Sequence, residues 1–206
     1  MAVAEEVVAG LSLGLALAGA PGPVQAVLLS EAVRGGIARG LKALAGAAIT
    51  FGLLLVSLAL GMSVAPPQGP VLRILQAIGG SFLVWIAVDG FRAASEGTRP
   101  TPNRRALSPP MRGALSVILN PGAWLFLGAV ASPLFASASA AAGTSGAVLV
   151  ALALQLGVTT GDGVVVLLGG VGLRRAGDVV TRWVRRVLAI LLAGLGLWLV
   201  IQALVP

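Results

Sequence analysis

The sequence contains no cysteine, no histidine and no tyrosine, and only 10% of its 206 residues are charged. The lack of cysteine excludes disulfides, thiol relays and Cys-ligated metals. The lack of histidine removes the commonest metal ligand and the usual titrating side chain near neutral pH. No nucleophile–base combination of the kind that enzymes use can be assembled from the remaining residues. We therefore predict that the chain is not an enzyme and carries no cofactor or resident metal.

What the sequence does contain is apolar residues, which make up 57% of the chain, at a mean hydropathy of +1.00. A soluble domain of this size does not bury so much apolar surface with so few charges. We predict an integral membrane protein in contact with the lipid bilayer. The formal net charge of +7 reflects membrane orientation, because the basic residues fall between the apolar runs, and no nucleic-acid partner is expected. Glu5 and Glu6 have the wrong sign for the start of a cleaved signal peptide.

Six apolar runs have about the 20-residue length that a bilayer core requires. They are Val7–Val33, Leu41–Met62, Val71–Ala93, Met111–Phe135, Ser145–Val171 and Trp183–Leu204. The predicted fold is therefore an all-α polytopic membrane protein with six transmembrane helices. A Pro-, Ser- and Arg-rich segment at 94–110 predicts a polar cytoplasmic linker between a three-helix repeat at 1–93 and a second at 111–206.

Basic residues concentrate in the first, third and fifth connections, and Arg73 is the one exception among the 14. Cytoplasmic loops of membrane proteins carry an excess of Lys and Arg. These three connections are therefore predicted to be cytoplasmic, with both termini outside the cell membrane. The residues concerned are Arg34, Arg39, Lys42, Arg92, Arg99, Arg104, Arg105, Arg112, Arg174, Arg175, Arg182, Arg185 and Arg186.

Two proline–glycine interruptions lie 100 residues apart, each near the middle of an apolar run. They are Ala20-Pro21-Gly22-Pro23 in the first run and Asn120-Pro121-Gly122 in the fourth. Proline and glycine both break helices, and broken backbone inside a membrane is tolerated where it packs against protein or lines a polar cavity. Matched breaks in two halves indicate a transporter's binding site. The predicted substrate-binding residues are Ala20, Pro21, Gly22, Pro23, Gln25, Asn120, Pro121 and Gly122; the alternatives are ordinary proline kinks and, for Asn120, a helix cap.

Three helices per half place the second half in the membrane with opposite orientation, so any internal repeat is inverted. Sequence similarity between the halves is weak. A shift of 100 residues superimposes Pro21-Gly22 on Pro121-Gly122, and a shift of 111 superimposes Gly46–Gly52 on Gly157–Gly163. We predict a 3+3 inverted repeat with broken first and fourth helices. Small-residue spacings such as Gly10-xxx-Gly14 and Gly157-xxx-Gly161 predict close helix packing.

Asp162 is the one acidic residue well inside an apolar run. A charge near the bilayer centre costs at least about 2.5–3.5 kcal/mol, so such residues usually face the bundle interior and mark a substrate or proton path. Asp162 is the candidate proton-coupling residue; a structural hydrogen bond to another helix is the alternative. Glu31 and Asp89 lie near the cytoplasmic ends of the first and third runs. They are candidate gate residues, with interfacial salt bridges to Arg34, Arg39 or Arg92 as the simpler interpretation.

Several of these segments resemble one family. Pro21-Gly22-Pro23 and the glycine hinge Arg34–Leu41 resemble the first half of the LysE/RhtB amino-acid exporters. Ile78–Leu83 resembles that family's third helix, and Met111–Phe126 its fourth. The resemblance implies a six-helix secondary exporter of amino acids or related small metabolites, driven by the proton motive force and commonly a homodimer.

The chain departs from the family pattern near the presumed path. The family often has Asn where Val24 stands and Lys where Gly122 stands, and its third helix usually has Tyr and Gly where Phe82 and Ala87 stand. These departures favour a substrate less polar than lysine or threonine. The alternatives are a metal-ion or other small-solute transporter of the same superfamily, and a non-transporting membrane subunit.

Overall fold

The computed structural model describes residues 2–20, 22–61, 68–95, 107–175 and 177–204. All regular secondary structure within these ranges is helical. A π-helical turn at Leu127–Ala131 joins α6 to α7. The α-helices are α1 (Ala2–Gly19), α2 (Pro23–Gly35), α3 (Ile37–Ala59), α4 (Gly69–Ser95), α5 (Pro109–Ile118), α6 (Pro121–Phe126), α7 (Ser132–Arg175) and α8 (Gly177–Leu204).

Prolines begin three of these helices. Pro23 opens α2, Pro109 opens α5 and Pro121 opens α6. Proline is favoured in the first helical turn because its missing N–H group would have no intrahelical partner there. Both predicted interruptions are thus places where one helix ends and another begins. The axes of α1 and α2 differ by 61° across the first interruption, and Pro21 itself lies outside the described residues.

Gly36 separates α2 from α3 with a backbone φ of 80° and ψ of 179°. Glycine adopts positive φ without the steric penalty of a Cβ atom. The amide of Gly36 still donates to the carbonyl of Ala32 at 2.8 Å, which ends α2. The predicted glycine hinge is therefore a one-residue break between two helices within the first basic connection.

The helical region from Pro121 to Gly172 contains 52 residues. As one straight helix it would measure about 78 Å, which is far longer than the hydrocarbon core of about 30 Å. The backbone leaves the helical region at Ala142 (φ −144°) and Gly143 (φ 66°), so two helices meet there at a kink. The fourth predicted run ends at Phe135, but helix continues to this kink because nothing in 136–141 breaks it.

Helix α1 packs along α7 through small residues. A Cβ atom at Gly14 would overlap the carbonyl of Leu154 on α7, and one at Gly157 would overlap the carbonyl of Leu11 on α1. Gly10 lies against Val150, and Gly161 against Ala18. Glycine at these positions lets the two backbones approach closely. The close packing predicted from the two Gly-xxx-Gly spacings is confirmed.

Helix α5 packs along α3 in the same manner. A Cβ atom at Gly46 of α3 would overlap the backbone of Pro110, and one at Gly113 of α5 would overlap the backbone of Ala43. Further large interfaces join α3 to α7 and α4 to α8. Each long helix of one half thus has a close partner in the other half.

The protein core is apolar, and so is much of the outer surface. Leu28, Leu55 and Leu154 are fully buried at the helix interfaces. Large apolar side chains such as Ile49 and Leu53 are mostly exposed on α3. An apolar exterior of this kind is stable against lipid and would be unstable in water. The molecule is a multi-pass membrane protein.

Four helical regions of the described residues are long and apolar enough to cross a membrane, or five if α1 and α2 form one bent span. This count supports a polytopic protein and falls short of the six spans predicted. Helix α4 runs to Ser95 and α5 begins at Pro109. Helical structure therefore extends into both ends of the predicted 94–110 linker, while residues 96–106 lie outside the described part. The proposed division of the chain at this linker stays a prediction.

Candidate functional site

The two helix breaks border one cavity of about 230 Å³. Gly22, Gln25, Asn120 and Gly122 all line it, and so does Asp162. Ala20 and Pro23 complete the contribution of the first break, whereas Pro121 is buried beside the cavity and does not line it. The remaining lining residues are Leu17, Val24, Leu44, Ala47, Ala48, Phe51, Val117, Ala123, Val158 and Thr159.

The first break places the end of α1 and the start of α2 at this cavity. Gly22 precedes α2 in an extended conformation, and no side chain caps the N-terminus of α2. Within the described residues, the amides of Val24 and Gln25, in the first turn of α2, therefore have no side-chain acceptor. Such free N–H groups carry a partial positive charge that suits an anionic group.

The second break is closed by its own side chain. Oδ1 of Asn120 accepts a hydrogen bond from the amide of Gly122 at 3.0 Å. The cap interpretation of Asn120 is thereby confirmed. The indole of Trp124 donates to the carbonyl of Ile118 at 2.7 Å and so satisfies one of the last carbonyl groups of α5. Less free hydrogen-bonding capacity remains here than at the first break.

Asp162 is only 3% exposed and comes from the middle of α7. Its Oδ1 accepts a hydrogen bond from Nε2 of Gln25 at 3.3 Å. The same Nε2 donates to the carbonyl of Leu17 at 3.4 Å. In a continuous helix that carbonyl would accept from the residue at position 21, where proline has no N–H group. Gln25 therefore connects the first break to the carboxylate.

Asp162 is the single charged side chain among the described residues that line the cavity. Most of the wall is apolar and comes from α1, α2, α3, α5, α6 and α7. Phe51 closes one side and packs at 6.3 Å between ring centroids against Phe126. Gln155, one turn from Thr159 on α7, donates to Thr159 Oγ1 at 2.9 Å and to the carbonyl of Ala48 at 3.1 Å, without lining the cavity.

A second polar site, which we call the Arg112 cluster, consists of Glu31, Arg34, Arg39, Asp89 and Arg112. Arg112 pairs with Glu31 at 3.1 Å and also with Asp89. Glu31 has a further ion pair with Arg39 at 2.6 Å, and Asp89 has one with Arg34 at 2.7 Å. The two predicted gate acids thus share one arginine, and each acid keeps an arginine of its own. The salt bridges predicted to Arg34 and Arg39 are confirmed, whereas the side chain of Arg92 lies outside the described part.

Arg112 was not predicted as a site residue, because its position beside the 94–110 linker placed it among the orientation-setting basic residues. The side chains of Arg112 and Glu31 are completely buried. The guanidinium also lies 5.0 Å from the ring centre of Trp85, one turn before Asp89 on α4. One feature of the sequence could have indicated this. Arg112 follows Pro109 by three residues, so it lies within helix α5 and not in the linker.

Within the described ranges, no group of three or more Asp, Glu, His or Cys residues is placed to hold a metal ion. Among the described residues, the cavity thus offers the carboxylate of Asp162, the side-chain amides of Gln25 and Asn120, the hydroxyl of Thr159, the uncapped start of α2 and an apolar wall. This set can bind a small molecule with a polar end and an apolar end.

A polytopic helical protein whose central cavity is bordered by two helix breaks and one buried carboxylate has the features of a membrane transporter. A comparison with protein families agrees with this class. The LysE type translocator family matches residues 15–203, which is most of the chain, and the chain belongs to that family. No curated protein and no solved structure matched the chain.

Proposed function

We propose that the protein is a secondary active transporter that exports amino acids or related small metabolites across the cell membrane in exchange for protons. The observation that carries this proposal is the cavity shared by the two helix breaks and Asp162. Membership of a translocator family supports the transporter class.

We further propose six spans arranged as a 3+3 inverted repeat. In this arrangement α1 with α2 forms the first span, and α5 with α6 and the residues up to 142 forms the fourth. Residues 143–175 then return across the membrane as the fifth. The length of the 121–172 region and the kink at Ala142 and Gly143 support this division. Both termini lie outside the cell in this topology, as the positive-inside rule predicts.

The packing of the helices supports the inverted repeat. A two-fold rotation that exchanges the halves would place α1 on α5 and α3 on α7. It would therefore superimpose the interface between α1 and α7 on the interface between α5 and α3, and both interfaces contain closely packed glycines. The same rotation would exchange α4 with α8, so the interface between these two helices would be superimposed on itself. A Cβ atom at Gly80 would overlap the backbone of Gly196, and one at Gly196 would overlap the backbone of Gly80. This reciprocity is expected for an interface on the pseudo-two-fold axis.

In the proposed binding mode, the substrate carboxylate accepts hydrogen bonds from the amides of Val24 and Gln25 at the start of α2. The substrate ammonium group binds Asp162. The separation of unlike charges matches the two ends of a zwitterion. The apolar wall that includes Phe51 and Val117 favours an uncharged, apolar side chain. This preference agrees with Val24 and Gly122 standing where more polar residues are common in the resembling exporters.

For coupling, Asp162 binds either a proton or the substrate ammonium group, and never both. A carboxylate in this apolar setting is stable only when it is neutralised or hydrogen-bonded. A proton entering from outside therefore displaces the substrate outward, and loss of that proton to the cytoplasm restores the carboxylate for the next substrate. One carboxylate suffices for this exchange.

The test is uptake into inverted vesicles, in which the cytoplasmic side faces the medium and the acidified lumen corresponds to the exterior. Neutral apolar, polar and basic amino acids and divalent metal ions are screened with and without the pH gradient. We expect uptake of neutral amino acids that depends on the gradient. Uptake of metal ions alone would support the metal-transport alternative, and no uptake of any solute would support a non-transporting subunit.

A further inference from the structure

The Arg112 cluster lies on one side of the cavity, toward the basic connections. Glu31 follows Gln25 on α2 by six residues, or about 9 Å. Arg112 precedes Val117 on α5 by five residues, or about 8 Å. Gln25 and Val117 both line the cavity, so α2 and α5 lead from the cavity to the same cluster. Under the proposed topology the cluster stands between the cavity and the cytoplasm.

Stability alone does not explain charges in this position. Arg112 and Glu31 are completely buried, and removing two such charges from water costs several kcal/mol per ion. Apolar residues of similar volume are often equally or more stabilising than a buried ion pair. Between helices that separate and admit water, however, charges become solvated at each opening. A buried ion cluster therefore suits a surface that is dry in one state and wet in another.

The pairing pattern shows where the cluster can divide. Glu31–Arg39 and Asp89–Arg34 each join residues of the first half of the chain. Among the described residues, Arg112 on α5 is the one ion-pair partner that connects these two pairs to the second half. If α5 moves away, each carboxylate retains an arginine, and Arg112 alone loses its partners to water. The separation of Arg112 therefore leaves no acid of the cluster unpaired.

We propose that the ion pairs of Arg112 with Glu31 and Asp89 close the cytoplasmic route to the cavity, and that Arg112 must leave them for the cavity to open inward. This inference rests on the proposed transport function and adds to it the residue that controls access from the cytoplasm. Trp85 holds the guanidinium through its ring face. Arg34 and Arg39 remain as the ion-pair partners of Asp89 and Glu31 while the route is open.

The absence of cysteine makes a direct test simple, because a single introduced thiol is the only one in the protein. Ala123→Cys places it on the cavity wall. A membrane-impermeant maleimide is applied to inverted vesicles, where it reaches the cavity from the cytoplasmic side, and to right-side-out vesicles, where it reaches the cavity from outside. The rates are compared in Arg112→Gln, Arg34→Gln and Arg73→Gln backgrounds. Arg73 lies on α4 away from both sites.

We expect Arg112→Gln to raise cytoplasmic labelling by at least about tenfold, because removing one partner of a buried pair is strongly destabilising to that arrangement. Labelling from outside should fall in the same variant. Arg34→Gln should have a smaller effect, and Arg73→Gln none. A misfolded Arg112→Gln protein would label faster from both sides. Arg112→Met, which is also uncharged, would then be the second variant.

Equal cytoplasmic labelling of a folded Arg112→Gln protein and the parent would overturn the inference, as would equal effects of Arg112→Gln and Arg34→Gln. Labelling requires no substrate, so this result is independent of the uptake screen. A change in sidedness without amino-acid uptake would leave the gate intact and refute only the proposed function. Normal amino-acid uptake without a change in the sidedness of labelling would support the proposed function and refute the gate.

Discussion

The two helix breaks have nearly the same sequence and different chemistry. At the first break, Gly22 has no side chain to cap α2, and the side-chain amide of Gln25 donates a hydrogen bond to Asp162. At the second, Asn120 caps α6 with its own oxygen. A proline–glycine motif therefore sets where a helix breaks, whereas the residue just before the new helix decides whether its amides stay available. We assign substrate binding mainly to the first break and a structural role to the second.

The surroundings of the breaks add to this difference. The first break lies between two helices that bend by 61°. The second is followed by a π-helical turn at Leu127–Ala131, where the hydroxyl of Ser132 donates to the carbonyl of Leu127 at 3.0 Å. Irregular hydrogen bonding is thus spread over several residues on the second side. On the first side it is concentrated at the cavity.

The largest effect in this comparison is expected for Asp162→Asn, because Asp162 is the acid that the first break contacts. Asparagine retains hydrogen bonding to Gln25 but can neither take up a proton nor neutralise an ammonium group. Gradient-driven amino-acid uptake into inverted vesicles should fall to the level of empty vesicles, with unchanged expression. Glu5→Gln, an exposed acid at the start of α1, is the matched control. Full uptake by Asp162→Asn would contradict the coupling role.

Gln25→Leu should have the next largest effect. The substitution removes the hydrogen bonds to the Asp162 carboxylate and to the Leu17 carbonyl. Hydrogen bonds to charged groups contribute about 1.5–3 kcal/mol, so we expect uptake at limiting substrate to fall by about tenfold or more. Gln202→Leu, at the exposed end of α8, is the control for adding leucine. If both variants transport alike, Gln25 does not connect the break to the carboxylate.

Gly22→Asn copies the cap of the second break into the first. The extended backbone at Gly22 is open to any residue, and the new Cβ atom would lie 3.3 Å from Oε1 of Gln25, which must shift slightly. The new side-chain oxygen would then occupy the amides at the start of α2. A charge interaction with a helix end is worth about 0.3–1 kcal/mol, so the half-saturating substrate concentration should rise up to about fivefold. Thermal stability in detergent should not fall. Gly172→Asn, where a side chain has open space, is the control, and an unchanged half-saturating concentration would refute the assignment.

Asn120→Ala should have the smallest effect on transport. Loss of an N-cap costs about 1 kcal/mol of stability, which a lower thermal unfolding midpoint would show. The half-saturating substrate concentration should change by less than about twofold, because the amides released at the second break are not part of the proposed site. A large loss of substrate affinity without loss of stability would reverse the roles of the two breaks.

The sequence predicted a considerable part of the site. Asp162, Gln25 and both breaks were identified from the rarity of polar residues and prolines within apolar runs, and the structure places them around one cavity. The gate acids were identified too, but their common partner Arg112 was not. An arginine beside a basic linker has the same local pattern whether it faces water or packs under Trp85, so only packing distinguishes the two.

The chain by itself determined the membrane environment, the helical class and the positions of the breaks. These properties follow from local physics, since hydropathy and the missing N–H of proline act within a few residues. The tertiary structure alone decided that Gln25 meets Asp162 across 137 positions of sequence and that Arg112 joins two acids from different helices. It also decided that one break is capped and the other open toward the cavity. Such contacts depend on how helices pack against one another, and glycine spacing permits that packing without specifying which side chains it brings together.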